Sequence, residues 1–285
     1  MQTPLLLPYQ LNSYFYSIEP MDIISLIAQY KDLHLEEVID HEKFNLIAID
    51  HHSTRIEGST LTEVEAQVLI NEGRTPKGKP LEDSLMMKDH HTALLFTLEA
   101  AMQGKELTTV FIQRINAFVM KGTGKTYHTM LGAVDSTTGA FRKGNVSAGS
   151  TYFPNYDKVE RLTEELIHLI SEKIKAPLPM EDQLNLSFDA LYNLVSIHPF
   201  YDGNGRTSRL LMNFLQAKYG LPLAIVHSEN KANYIEALVR TRETGDPEIF
   251  RDFMRTEYSF QLQSEIDRYK EMIKPSKGKG FGFLF

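Results

Sequence analysis

The sequence predicts an all-α protein. Apolar residues recur at helical spacing along most of the 285-residue chain. Glycine and proline clusters separate these runs at short intervals. Only between Gly122 and Pro154 does the periodicity vanish, and there glycine, threonine and serine dominate. In that stretch Phe141–Val146 and Ser147–Phe153 read either as two short strands around a turn or as a surface loop.

Residues 1 to about 20 carry prolines and tyrosines and are expected to lie extended. A helix follows over 21 to about 37, with Ile23, Ile24, Leu26 and Ile27 apolar. A second runs from about His41 to Ile56 on Phe44, Leu46, Ile47 and Ile49, and Gly58 should end it. Thr60 with Glu63 reads as a capping box for the next helix, which ends near Gly73. Gly73–Pro80 is a loop by composition. Further helices run to about Met102 and from Thr108 to Met120. Asp157 with Glu160 reads as the capped start of a helix to about Lys173. After the break at Pro177–Pro179 a helix leads to His198. A second helix leaves the same turn. Asn230 to about Arg242 and Pro247 to about Met272 complete the helical set, and a basic, glycine-rich, then aromatic tail follows. His51, His52, His90 and His91 form two adjacent pairs. Neighbours on a helix point in different directions, so neither pair chelates one metal well, and all four read as structural or surface residues.

Composition bounds the function. At 42% hydrophobic the chain can bury a sizeable core. A net charge of −7 and a pI near 5.8 argue against general nucleic-acid binding. Cysteine is absent, so no disulfide or thiolate metal site can form. No apolar run approaches membrane-spanning length, and the first residues lack a signal-peptide pattern. The cytoplasm is the expected compartment.

The chemistry concentrates in His198–Arg209. Pro199 disfavours helical geometry at His198 and stops the first helix there. Asp202 can cap the next helix, and Gly203 and Gly205 allow a sharp turn and close approach of a ligand. A helix amino terminus presents free N–H groups and partial positive charge, which suits phosphate. Arg206 and Arg209 share one face of that helix near its start. Two forked guanidiniums beside an amide nest suit a polyphosphate. Asp202 supplies one hard oxygen for Mg²⁺ held jointly with phosphates. His198 has an unperturbed pKa suited to a general base.

This stretch resembles the Fic signature, His-Pro-Phe-x-Asp/Glu-Gly-Asn-Gly-Arg-x-x-Arg, at every fixed position. The resemblance implies a mostly helical fold with a β-hairpin flap at about 145–153, where Ala148, Gly149, Ser150 and Thr151 would dock a target segment by strand-like pairing. It implies AMP transfer from ATP to a Ser, Thr or Tyr hydroxyl of a target protein, with self-modification and homo-oligomerisation left open. His198 would be the base and Asp202 the Mg²⁺ ligand. Gly203, Asn204, Gly205 and Arg206, with Thr207 and Ser208, would form the nucleotide seat, and Arg209 would hold the γ-phosphate. Tyr234 would wall the adenine. The related Doc kinases carry a lysine at the position of Gly205 and depart at Asp202, so this sequence favours nucleotidyl over phosphoryl transfer.

A second motif, Ser53-Thr54-Arg55-Ile56-Glu57-Gly58, is similar to the family's inhibitory pattern Ser/Thr-x-x-x-Glu-Gly/Asn. A glutamate at a helix carboxyl end is electrostatically uncomfortable and calls for a cation. The resemblance implies that Glu57, with Ser53, pairs with Arg209 and denies it to the γ-phosphate. The expected organisation is an N-terminal helical region 1–79 carrying the inhibitory helix (about 41–57), a core 80–245, and a C-terminal helix and tail 246–285. Two rivals stand beside AMP transfer: removal of AMP or transfer of another nucleotide at the same site, and a non-catalytic, ATP-dependent interaction protein.

Overall fold

The computed structural model describes residues 22–35, 41–149 and 151–274. Among them the chain forms ten α-helices and two small antiparallel hairpins. The helices are α1 (Ile23–Asp32), α2 (His41–Ile56), α3 (Glu63–Glu72), α4 (Leu81–Met102) and α5 (Thr109–Val119), then α6 (Val159–Lys175), α7 (Met180–Ile197), α8 (Asn204–Lys218), α9 (Lys231–Thr244) and α10 (Glu248–Met272). The first hairpin pairs β1 (Thr126–Thr129) with β2 (Gly132–Asp135), and the second pairs β3 (Ser147–Ala148) with β4 (Thr151–Tyr152). The expectations for the first twenty residues and for the tail from 275 lie outside the described residues, whereas the first helix, expected to run to about 37, ends at Asp32, where Leu33 and His34 turn their amides back onto Tyr30 and Lys31.

The all-α reading holds, and two expected helix caps are corrected. Thr62 rather than Thr60 caps α3: its hydroxyl accepts from the Glu65 amide at 3.2 Å, and the Glu65 carboxylate accepts from the Thr62 amide at 2.8 Å. Thr60 is engaged elsewhere, donating its amide and hydroxyl to Asp83 at 2.8 and 2.6 Å. Asp157 does not cap α6. It lies in a 3₁₀ turn, Tyr156–Lys158, whose leading amide donates instead to the Asn145 side chain at 3.0 Å. Of the two readings left open for Phe141–Val146, the loop is the one found. The second hairpin is shorter and begins only at Ser147, with Ala148 opposite Thr151.

The core is built around α8. Leu210, Leu211, Phe214 and Leu215 are fully buried against α4, α5 and α7. A second cluster lies under α1, α7, α9 and α10 and includes Phe188, Phe250, Met254 and Tyr258. Between α8 and α9 the chain runs irregularly yet buried through Leu221, Ala224, Ile225 and Val226. Its backbone groups need partners there. Gln216 Oε1 accepts from the Ala224 amide at 2.8 Å, and Asn213 donates to the Ala224 carbonyl at 3.1 Å. Gln261 accepts from the Ile225 amide and donates to the Leu223 carbonyl, at 2.8 and 2.9 Å. Two amide-bearing helices therefore fasten this loop, and α8 is fixed along its whole length. Phe214, whose ring lies 5.1 Å from that of Phe111, sits at its centre. Phe214→Ala is expected to cost about 3–5 kcal/mol, read as a lowered urea midpoint at unchanged slope.

The four histidines are structural. Asp50, fully buried on α2, accepts from His90 Nδ1 and His91 Nδ1 of α4, each at 2.6 Å. His52 meets Ser228 Oγ at 3.1 Å. No group of three or more His, Cys, Asp or Glu suited to a metal ion occurs among the described residues. No helix among them is long and apolar enough to cross a membrane.

Candidate active site

The site is assembled where α7 stops and α8 starts. His198 caps α7 in the left-handed region, at φ 54°, with its amide bonded to the Leu194 carbonyl at 3.0 Å. Pro199 follows and forbids another helical turn. Phe200 is fully buried and anchors the loop. The Asn204 side chain braces it from both sides, accepting from the Phe200 amide and donating to its carbonyl, each at 2.9 Å. The cap of α8 is Gly203, at φ 77°, one residue later than the expected Asp202. A side chain at Gly203 would crowd Asn116 Nδ2 at 2.8 Å and Met120 Sδ at 2.9 Å, so the turn closes directly onto α5.

Asp202 Oδ1 accepts from the Gly203 amide at 2.5 Å and from Arg206 Nη2 at 3.1 Å. Its side chain is 50% exposed, and Oδ2 takes no bond among the described residues. Arg206 is buried, yet its Nε and Nη1 have no hydrogen-bond partner. Orphaned guanidinium N–H groups in a helix's first turn mark a place for an anion.

Arg209, one turn further on, is held by α2. Its Nε donates to Ser53 Oγ at 2.9 Å, and its Nη2 donates to the Ser53 carbonyl at 2.9 Å and to Glu57 Oε1 at 2.7 Å. The Ser53 carbonyl is available because it belongs to the last turn of α2, where no later amide claims it. The Glu57 carboxylate lies over the start of α8, and a Cβ at Gly205 would collide with it. Removal from water pushes the Glu57 carboxyl up, but Arg209 and Arg206 outweigh this and hold it below its usual range.

The His198 ring lies against Phe153, with centroids 3.9 Å apart and planes 18° from parallel. Burial is the main cause that lowers its pKa, to about 4, with Arg142 adding to the effect and the Val195 carbonyl and Glu57 opposing it. Nδ1 is sealed from solvent, which leaves Nε2 as the open edge. The imidazole is thus neutral at neutral pH and able to accept a proton.

Residues 106–216 match the model of the Fic/DOC family. This chain contains a Fic/DOC-family domain. The protein adenylyltransferase Fic of Drosophila virilis is 31% identical over 206 residues, which are 72% of this chain and 39% of that protein. Its counterpart in Drosophila grimshawi is 32% identical over 207 residues, again 72% and 39%. The chain therefore spans about two-fifths of the length of these curated relatives. The fold is also that of solved structures. A Fic-domain-containing signalling protein from Bacteroides thetaiotaomicron aligns with a TM-score of 0.74 at 23% identity, over 90% of this chain and 99% of that one. Fic-1 of C. elegans (residues 134–508) aligns with a TM-score of 0.67 at 19% identity, over 88% and 72%.

The residues named from sequence, inside the matched segment 106–216 and on either side of it, fall into four groups. His198, Asp202, Gly203, Gly205, Arg206 and Arg209 surround the start of α8, with Ser53 and Glu57 on Arg209. The side chains of Asn204 and Thr207 are bonded within the fold, and that of Ser208 is buried. Asn204 is occupied by Phe200, and Thr207 and Ser208 are fully buried, with Thr207 Oγ1 accepting from Asn116 at 3.1 Å. Tyr234 is 2% exposed, packed with Phe250 and Phe253, and its hydroxyl side faces Arg209. Of the hairpin residues, Ala148, Gly149 and Thr151 form the small second hairpin, and Ser150 lies outside the described residues.

Sequence reasoning missed Asn116, Arg142 and Phe153, and the first hairpin altogether. Tyr127 of that hairpin stacks on Tyr201 of the signature loop, centroids 4.4 Å apart. The strands of four residues carry no clean alternation, and the three side chains reach the loop from 45 to 86 positions away. A lone arginine in a glycine- and serine-rich segment was the one signal available.

Proposed function

We propose that this chain is a protein adenylyltransferase that moves AMP from ATP to a Ser, Thr or Tyr hydroxyl of a target protein. The observation that carries this reading is the pair of orphaned N–H groups on buried Arg206, at a helix start whose lip holds a neutral imidazole. The name of the Drosophila relatives supports the same reading. In the reaction the target hydroxyl oxygen attacks the α-phosphorus in line. A new P–O bond forms, the bond to pyrophosphate breaks, and the hydroxyl proton passes to His198 Nε2. Catalysis is mainly placement and charge stabilisation. The free amides of α8 and Arg206 hold the phosphate oxygens. The second oxygen of Asp202, half-exposed and uncommitted, fits Mg²⁺ held jointly with phosphates. The cation, when bound, neutralises phosphate charge.

Glu57 acts as an inhibitor on this reading. Its carboxylate occupies the helix start and Arg209 together, where a γ-phosphate would sit. The second hairpin lies beside His198 through Phe153 and is the docking edge for the target segment. The cytoplasm remains the expected compartment.

The test is incubation of wild-type and Glu57→Gly protein with ATP, Mg²⁺ and cell lysate, read by intact-protein mass. A gain of one AMP on a target, larger with the variant, is expected. Nucleotide binding without any AMP gain by either protein overturns the transferase and favours the interaction protein; loss of AMP from a modified target assigns removal instead.

The imidazole predicts the pH profile. The base must be neutral, and its pKa is lowered to about 4. Transfer by Glu57→Gly should therefore stay flat from roughly pH 8 down to about 5.5 and fall only below about pH 5. A profile that already halves near the ordinary histidine value of 6.5 contradicts the buried, stacked imidazole.

A further inference from the structure

Arg142 is 2% exposed and has no carboxylate partner among the described residues. A buried guanidinium without a counter-charge is costly unless its N–H groups are fully engaged. Here they are engaged by backbone carbonyls from three places. Nε donates to the His198 carbonyl at 2.7 Å, Nη1 donates to the Gly144 carbonyl at 2.8 Å, and Nη2 donates to the Pro154 carbonyl. The Arg142 amide adds a bond to the Pro199 carbonyl at 3.0 Å. Gly144 and Pro154 are the two feet of the second hairpin, on either side of Ser147–Tyr152. His198 is the left-handed cap that carries the imidazole.

We propose that Arg142 is a positioning residue that locks the second hairpin and the His198 backbone into one rigid unit, so that the surface receiving the target and the group receiving its proton keep a fixed separation. The inference rests on the transferase reading. Three further contacts close the unit. Phe153, next to the Pro154 foot, stacks on the His198 ring. The Arg242 guanidinium lies over the Phe153 ring, 5.5 Å from its centroid, and reaches Thr151 Oγ1 at 3.4 Å and Ser196 Oγ at 3.3 Å. Asn145 binds the Tyr156 amide across the two feet. Hairpin displacement therefore drags on the His198 carbonyl through one planar fork. Lysine cannot reproduce this, because a single ammonium does not span three carbonyls in a plane.

The experiment uses Arg142→Lys and Arg142→Met in the Glu57→Gly background. The lysine variant keeps the charge and loses only the fork. Three quantities are read: Mg·ATP affinity by calorimetry, AMP incorporation from labelled ATP into lysate protein, and the His198 titration by NMR, assigned by its absence in His198→Gln. Both variants are expected to bind Mg·ATP within about twofold of the parent, because the helix-start groups are untouched. Both should transfer AMP at least tenfold more slowly, on the order expected for a misplaced reacting group. The His198 titration should rise from about 4 toward 6.5 in both, as the ring leaves Phe153 for water. Parent-like transfer and titration in Arg142→Lys overturn the proposal, leaving Arg142 as a charge alone.

If the Glu57→Gly parent itself transfers no AMP, the transferase reading fails while the titration still decides the role of Arg142. Should neither variant fold, hydrogen exchange on the unmodified protein asks the same question. The bonded amides of Arg142, Tyr156 and His198 should open together, and independent opening overturns the lock.

Discussion

Glu57→Gly raises AMP transfer by on the order of a hundredfold, the factor expected when a reacting group moves from a misaligned to an aligned position. The expectation follows from what the carboxylate occupies. It accepts from Arg209 Nη2 at 2.7 Å and fills the space above Gly205, at the amide end of α8. A triphosphate arriving with its own negative charge meets an anion already seated there. The two like charges repel, so on this reading the terminal phosphate would be displaced and the α-phosphorus turned away from the line of attack. The substitution itself is structurally mild. Residue 57 lies past the end of α2, followed by Gly58 at φ 110°, so a glycine there breaks no helical turn. The check is initial-rate incorporation of labelled AMP by the two proteins at matched ATP. Equal rates rule out the inhibitory role, and a lower rate in the variant makes Glu57 a participant in the chemistry.

His198→Ala in the same background lowers transfer by about 10²–10⁴-fold, the usual contribution of a positioned base. Nucleotide affinity should change little, since the phosphate-facing groups belong to α8 and to Arg206. The two readouts together separate loss of the base from loss of the seat. A variant that binds and transfers normally removes His198 from the mechanism. Loss of binding in step with transfer shows instead that the α7–α8 turn has come apart. Its left-handed backbone gives one reason for caution in the choice of replacement: at φ 54° alanine is strained. His198→Asn tolerates that conformation and should show the same loss of transfer.

The site was largely legible because its chemistry is contiguous. His198, Asp202, Arg206 and Arg209 come from one turn and one helix start, and helix geometry alone puts them together. The positions of α2, α4 and α5 followed from apolar spacing for the same reason. What failed were mostly helix caps, where a side chain's partner is settled by competition. Thr60 reads as a cap but is claimed by Asp83, across 23 residues. Asp157 reads as a cap, but α6 has no side-chain cap, and Asn145 holds the amide of Tyr156 at the head of the preceding 3₁₀ turn. Asp202 reads as a cap, but its carboxylate faces the Gly203 amide and Arg206. Arg142 was invisible because its partners are carbonyls, which every residue possesses, and no spacing rule marks them. The packing of Tyr234 against Phe250 and Phe253 of α10 was equally beyond any local motif.

Arg209 has a second hold that outlasts the first. Its bonds to the hydroxyl and the carbonyl of Ser53 do not involve Glu57. When the glutamate is lost, the arginine is not set adrift to search its rotamers. It stays aimed, freed of its rival but not of its mounting, and the incoming phosphate spends none of its binding energy on bringing it to order.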